Sequence, residues 1–296
     1  MTAVTGLEKT HLSVAYLKII QDAPLFLAIK DGLFAKEGLT VTPIPEAQST
    51  AALPGMQSGA IDLIAGANYE SFFAMQAAGK FQMKIIADSS QCDTNSLVVL
   101  AMPQSHITGP ASLLGKTVAV QINPDIQTIT LNADLAADGL NPGKIRYVEV
   151  SFPKMNAALK TGQVDAIAQV EPFASLAEAQ LGARVVMSYC SPPVADFPEA
   201  GYVATAAWAA KYPHTALAFQ QAIEQAQTLA ATNRRAVEQV LPSFIPGMTA
   251  PIADIVDLGV FPTSLNAVRL QRLVDLMVQS GLIAPGRLNV QSLLLN

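Results

Sequence analysis

Four carboxylates, Asp22, Glu70, Asp125 and Glu171, stand directly after short apolar runs, together with amides and hydroxyls. The segments read Gln21-Asp22-Ala23, Gln48-Ser49-Thr50, Ala67-Asn68-Tyr69-Glu70, Asn123-Pro124-Asp125 (with Gln121 just upstream) and Val170-Glu171-Pro172. In open parallel sheets ligands bind beyond the carboxyl ends of the strands. Helix N-termini point there too, with unused N–H groups and a positive dipole end. The expected ligand-binding residues are therefore Gln21, Asp22, Gln48, Ser49, Thr50, Asn68, Tyr69, Gln121, Asn123, Asp125 and Glu171, with Tyr202 joining Tyr69 as a ring to stack on. The plainer reading is that these residues cap helices. Asn123 has the form of an N-cap with Pro124 at the first helical position, and Ser49 or Thr50 suits the same role. Capping alone explains each loop singly. Five such loops gathered on facing edges of two lobes are better explained by a cleft.

These segments hold no Lys or Arg, so an anion would rely on helix N-termini. The carboxylates suit amine, amide or hydroxyl donors. An amino-sulfonate or a pyrimidine-like ring fits this set better than nitrate alone.

Catalytic patterns are weak. His11, His106 and His214 are far apart and show no metal-ligand spacing, and Cys92 and Cys190 form no CxxC. There is no phosphate loop, nucleophile elbow or dinucleotide fingerprint. Asp62 and Asp165 resemble a catalytic pair, but each follows a glycine, where a turn or strand-start role is the better reading. No catalytic residue, metal or cofactor is expected.

The elements that position these loops alternate. Strands are expected at Leu12–Leu17, Thr40–Pro45 and Ile61–Ala65, and helices at Pro24–Glu37, Ala51–Ser58 and Tyr69–Ala78. The order then repeats, with strands at Thr117–Ile122, Ile145–Val150 and Val164–Ala168 and helices at Pro124–Ala137 and Met155–Lys160. Residues 57–65 and 160–168 align at an offset of 103, including Asp62 and Asp165. Alternation of this kind implies an α/β fold, and the repeat implies two lobes. The fold class expected is a two-lobed α/β fold, each lobe a mixed, mostly parallel sheet flanked by helices. Lobe I comprises residues 1–88 and 203–296, and lobe II residues 89–202. Polar hinge segments are expected at 89–95 and 197–202 within crossovers at Ser89–Asn95 and Ser191–Gly201. A helical tail, with long helices at Ala216–Leu241 and Leu270–Ser280, packs on lobe I. Cys92 and Cys190 flank these crossovers and form either a disulfide or two separate buried thiols.

The 296 residues, 51% hydrophobic and 14% charged, can bury sizeable cores. A net charge of -5 with no basic run argues against a nucleic-acid surface. No apolar stretch spans a bilayer. Met1–Thr10 lacks the features of a signal peptide, so the chain is cytoplasmic if Met1 is its native start, and otherwise periplasmic or extracellular and membrane-associated.

Residues 23–39, APLFLAIKDGLFAKEGL, resemble the opening of the solute-binding proteins of nitrate, sulfonate and taurine transporters of the ABC class. The resemblance continues through Met56-Gln57-Ser58-Gly59, Leu114-Gly115-Lys116-Thr117, Gly162-Gln163-Val164-Asp165 and Glu171-Pro172. It implies the two-lobed, type II periplasmic-binding-protein-like fold, closing on a small ligand held between the lobes. It further implies a monomer that delivers the ligand to a membrane permease and its ATPase and is not an enzyme. The wider superfamily includes enzymes of thiamine-pyrimidine and sulfinate metabolism, which is the alternative function. Those enzymes need Cys or His in the cleft, and the first-lobe loops here carry neither.

Overall fold

The computed structural model describes residues 4–192 and 194–295; Pro193, which falls in the expected second crossover, lies outside them. The chain divides into two compact units. The first contains the described residues up to Gln91, Pro198–Ala253 and those from Val260 onward; the second contains Cys92–Phe197 and Asp254–Gly259.

The first unit is built on a five-stranded sheet of β1 (His11–Tyr16), β2 (Thr40–Pro45), β3 (Leu63–Asn68), β4 (Met83–Gln91) and β10 (Pro198–Thr205), in the order β2-β1-β3-β10-β4. The second has β5 (Leu97–Ala101), β6 (Thr117–Val120), β7 (Arg146–Glu149), β8 (Ala166–Val170) and β9 (Arg184–Ser188), in the order β7-β6-β8-β5-β9. In both, three strands pair in parallel, a fourth joins antiparallel, and the fifth pairs antiparallel with the fourth. Four of five strands therefore point the same way. β3 and β8 are buried at every residue, as expected of central strands covered on both faces.

Helices cover the faces. The helix Pro213–Thr232 buries Ala216, Phe219, Ile223, Ala226 and Ala230, and the Phe219 ring stacks 5.1 Å from Phe34. Tyr16, Phe26 and Phe244 form a second aromatic cluster in the first unit. The repeated carboxylates hold strands in place. The Asp62 carboxylate accepts from Ser13 N–H (2.9 Å), Lys9 Nζ (2.5 Å) and Trp208 Nε1–H (2.7 Å), while Asp165 accepts from Thr117 N–H (2.8 Å). Each anchors the loop before the third parallel strand of its unit to the first, as the strand-start reading expected.

Several expectations change. β1 ends at Tyr16, not Leu17, and Leu17 and Lys18 open the following loop. The helix expected at Pro24–Glu37 is two, Ala23–Lys30 and Leu33–Lys36, because Gly32 adopts φ +68° between them. The long helix expected to reach Leu241 breaks at Asn233, whose side chain caps a new helix, Arg234–Val240. Asn123 is not the cap of the following helix. Asp125 is, and Ile126–Ala137 starts after it. Ser89–Gln91 and Pro198–Tyr202, read from sequence as polar connections, are strand residues of β4 and β10 that pair with one another. Cys92 and Cys190 are joined in a disulfide with Cα atoms 6.0 Å apart, inside the second unit.

Candidate functional site

In the first unit, the loop after β1 folds back on itself. The Asp22 Oδ2 atom accepts the Leu17 N–H at 2.6 Å, while its Oδ1 has no hydrogen-bond partner. The residue is wholly buried, and this burial pushes its carboxyl up to about 8 against the lowering effect of the Leu17 bond. It lies against Gly66 of β3, where a side chain would come within 2.9 Å of Oδ1, at a backbone φ of +65°. Burial and the nearby Asp22 both raise the Tyr202 hydroxyl. The neighbouring Gln21 receives the Ser89 hydroxyl on its backbone carbonyl at 3.1 Å, and its own Oε1 is buried without a partner.

At the end of β3, the Asn68 N–H donates to Ser49 Oγ at 3.5 Å. Asn68 Oδ1 accepts the Ser71 N–H at 3.1 Å and caps the helix Tyr69–Ala77. Gln48 and Thr50, half-buried, flank Ser49 at the start of a single 3₁₀ turn, Ser49–Ala52. Tyr69 is wholly buried. Its hydroxyl donates to Asp88 at 2.6 Å, and Arg269 donates to the other Asp88 oxygen at 2.7 Å. Gly201 of β10 passes over the Tyr69 ring, where any side chain would overlap it.

In the second unit, the Gln121 N–H donates to Gln127 Oε1 at 2.7 Å, and Gln127 Nε2 donates to the Ala168 carbonyl at 2.7 Å and the Tyr189 hydroxyl at 3.1 Å. Asn123 is exposed and donates its N–H to Glu149 at 2.9 Å. Asp125 caps its helix through Thr128 N–H at 3.3 Å, and Thr128 Oγ1 accepts the Asp125 N–H in return at 3.0 Å. Its Oδ2 has no partner, and burial pushes this carboxyl, too, up to about 8. Glu171 receives Ser175 Oγ at 2.7 Å and Ser175 N–H at 3.1 Å, and more distantly Asp257 N–H at 3.4 Å. Burial raises its carboxyl in spite of these bonds.

The structure thus gathers Gln21, Asp22, Gln48, Ser49, Thr50, Asn68 and Tyr69 at the carboxyl ends of β1, β2 and β3 in one unit. It gathers Gln121, Asn123, Asp125 and Glu171 at the corresponding ends of β6 and β8 in the other. Most of these side chains also cap or tie loops, and Tyr202 lies inside β10 with no exposed surface. Three residues escaped the sequence reading. Exposed Lys18 supplies a cation at the end of β1, which corrects the expectation that these loops hold none. Ser89 and Ser90 end β4 on the same edge but read as part of a crossover. His11, His106 and His214 all lie away from these ends: His11 begins β1, His106 follows a turn at Pro103–Ser105, and His214 bonds Glu8 at 2.7 Å. Among the described residues no three His, Cys, Asp or Glu side chains are placed to hold a metal, and no helix is long and apolar enough to cross a membrane.

Residues 5–241 match the family model described as the NMT1-like family. The chain belongs to the NMT1-like family. Comparison with curated protein sequences gives no match. Solved structures extend the likeness over the whole chain. The alkanesulfonate-binding protein SsuA of Xanthomonas axonopodis pv. citri, bound to MOPS, is 22% identical; the alignment covers 98% of this chain and 99% of that one with a TM-score of 0.80. The periplasmic aliphatic sulphonate binding protein SsuA of Escherichia coli is 22% identical over 97% of both chains, with a TM-score of 0.74. The periplasmic nitrate-binding protein NrtA of Synechocystis PCC 6803 is 17% identical over 98% of this chain and 87% of that one, with a TM-score of 0.81. This NMT1-like chain therefore has the periplasmic-binding-protein fold.

Proposed function

We propose that the protein is the ligand-binding component of an ABC-type import system, a monomer that gives up a small organic ligand to a membrane permease and its ATPase. The observation that carries this reading is the same strand-end arrangement built twice. Each unit ends its parallel strands in a buried carboxyl, buried amides and helix N-termini, on a fold likened along its full length to sulfonate- and nitrate-binding proteins. The ligand is expected to be sulfonate-, taurine- or nitrate-like, or to carry a pyrimidine-like ring. Lys18 suits an anionic head group, while Gln21 Oε1 is an acceptor, and the Asp22 carboxyl a hydroxyl donor, with no partner inside the protein. An amino-sulfonate offers both kinds of group.

An enzymatic role on this scaffold would need Cys or His at the strand ends. The cysteines are joined to each other and the histidines lie elsewhere, which supports binding over catalysis. The buried disulfide suits an oxidising compartment and supports a periplasmic or extracellular location. A thermal-shift screen with methanesulfonate, taurine, nitrate and cytosine tests the reading. A ligand specific to the folded state stabilises by about 2.7 kcal/mol at a hundredfold excess over its dissociation constant. An unmoved melting curve with all four at millimolar levels would refute it.

A further inference from the structure

The first unit holds a polar side chain at its strand ends that the proposal above leaves unused. Ser90, next to last in β4, is 3% exposed, and its Oγ has no hydrogen-bond partner. Ala200 of β10 pairs with Ser90, and Gly201 pairs with Asp88, so Ser89 is an extra residue in the ladder. On β10, Glu199 is passed over in the same way between Pro198, paired with Gln91, and Ala200. Bulges re-aim side chains. Here the Ser89 hydroxyl turns to the Gln21 carbonyl, and Ser90 is left in line with its cross-strand partners.

On its other side, Ala200 pairs with Asn68 of β3. Asn68, Ala200 and Ser90 therefore form a row across three strands, and directly paired residues share a face. Adjacent strands lie about 4.8 Å apart, so Asn68 and Ser90 stand on the order of 10 Å from one another with only a methyl group between them. That width admits one compact head group. Its walls are donors. Asn68 Oδ1 is occupied by the Ser71 N–H, which leaves the Nδ2 amide as the group to offer, and Ser90 offers its hydroxyl. The helix Tyr69–Ala77 also begins here, capped by Asn68. Glu70 sits wholly buried in its first turn, and the side-chain donors of Asn68 and Ser90 are the groups offered to the head group.

We propose that the row Asn68–Ala200–Ser90 is an oxyanion subsite, with Ala200 as its floor and Ser90 as a specificity-determining contact to a sulfonate-type head group. The inference rests on the reading that these strand ends bind ligand. It also accounts for a buried hydroxyl that has no partner inside the protein, an arrangement otherwise unfavourable.

Calorimetric titration of the full chain with methanesulfonate, taurine, nitrate and cytosine decides it, using Ser90→Ala and Ser90→Thr. Ser90→Ala should weaken methanesulfonate and taurine about tenfold, the size expected for one lost hydrogen bond, should leave cytosine affinity unchanged and should keep or raise the ligand-free melting temperature. Ser90→Thr, which keeps the hydroxyl, should restore sulfonate binding. Sulfonate affinity unchanged in Ser90→Ala would overturn the subsite, as would a ligand-free loss of stability in that variant not repaired by Thr. Binding of cytosine alone would overturn the oxyanion subsite while leaving the transport reading standing. A wild type that binds none of the four would overturn the transport reading and this one with it.

Discussion

The two units repeat the same strand order, yet they use their strand-end polar groups differently. In the second unit most of these groups are occupied by one another, Asp125 Oδ2 being left without a partner. Gln127 bonds the Ala168 carbonyl and Tyr189, Gln169 Nε2 reaches the Phe152 carbonyl at 3.2 Å and Asn156 at 3.1 Å, and Glu171 holds Ser175. In the first unit, Gln21 Oε1, Asp22 Oδ1 and Ser90 Oγ are buried without partners, and Lys18 is exposed in the loop after β1. The second unit also carries the disulfide. The difference suggests a division of labour. The second copy of the scaffold ties up more of its polar groups from within, while the first leaves more hydrogen-bonding capacity without a partner in the chain.

What the copies share most closely is a pair of buried carboxyls, Asp22 and Asp125, again 103 residues apart, both pushed up to about 8 by burial. This gives the largest expected effect. From an ordinary value of 3.8, each group keeps its proton in the folded state up to about pH 8, while the unfolded chain loses it near pH 4. The unfolded state therefore binds fewer protons over this window, and stability falls as pH rises from about 4 to 8. Each carboxyl accounts for up to about 5 kcal/mol across that range. Asp22→Asn and Asp125→Asn should each flatten the pH dependence and raise stability at pH 8 in urea unfolding. Equal slopes in wild type and variants would mean that these carboxyls ionise freely.

Reduction of the Cys92–Cys190 bond comes next and should break the symmetry of the comparison. It closes a loop of 98 residues, for which chain entropy gives about 4 to 5 kcal/mol. Hydrogen exchange after mild reduction should speed up at amides of the second unit, and protection in β1, β3 and β10 should be kept. Uniform loss of protection would show that the two units unfold together.

The strand anchors give a smaller, graded effect. Asp62 has three donors, Ser13, Lys9 and Trp208, whereas Asp165 receives Thr117. Asp62→Ala should cost about 3 kcal/mol and Asp165→Ala about 1 kcal/mol, since removing one partner leaves buried donors unsatisfied. The reverse order by chemical denaturation would contradict this account of the anchors.

Much of this was legible in the sequence. The alternation of elements, the repeat at offset 103 and the strand-start role of Asp62 and Asp165 all follow from periodicity and local turn chemistry. The antiparallel entry of β5 and β10 was not, because pairing direction is set by where the chain re-enters each sheet and leaves no local pattern. Lys18 was missed because the loop after β1 was read only from Gln21 onward, whereas it opens right after Tyr16. Ser89 and Ser90 were hidden by polarity. In a buried edge strand near a polar strand end, serines resemble a loop, and only the paired register of β4 with β10 reveals them. Asn123 was mistaken for a cap because a Pro follows it, whereas the capping bonds belong to Asp125 two residues later.

The central claim is that the strand ends of these units bind a small ligand. Amide chemical-shift mapping tests it most directly, with ¹⁵N-labelled protein titrated with whichever of methanesulfonate, taurine, nitrate or cytosine raises the melting temperature. The account predicts the largest shifts at Lys18, Gln21, Asp22, Ser49, Asn68 and Ser90, followed by Gln121, Asp125 and Glu171. Shifts confined to the opposite ends of the strands, around His11, Ile61 or Lys116, would contradict it.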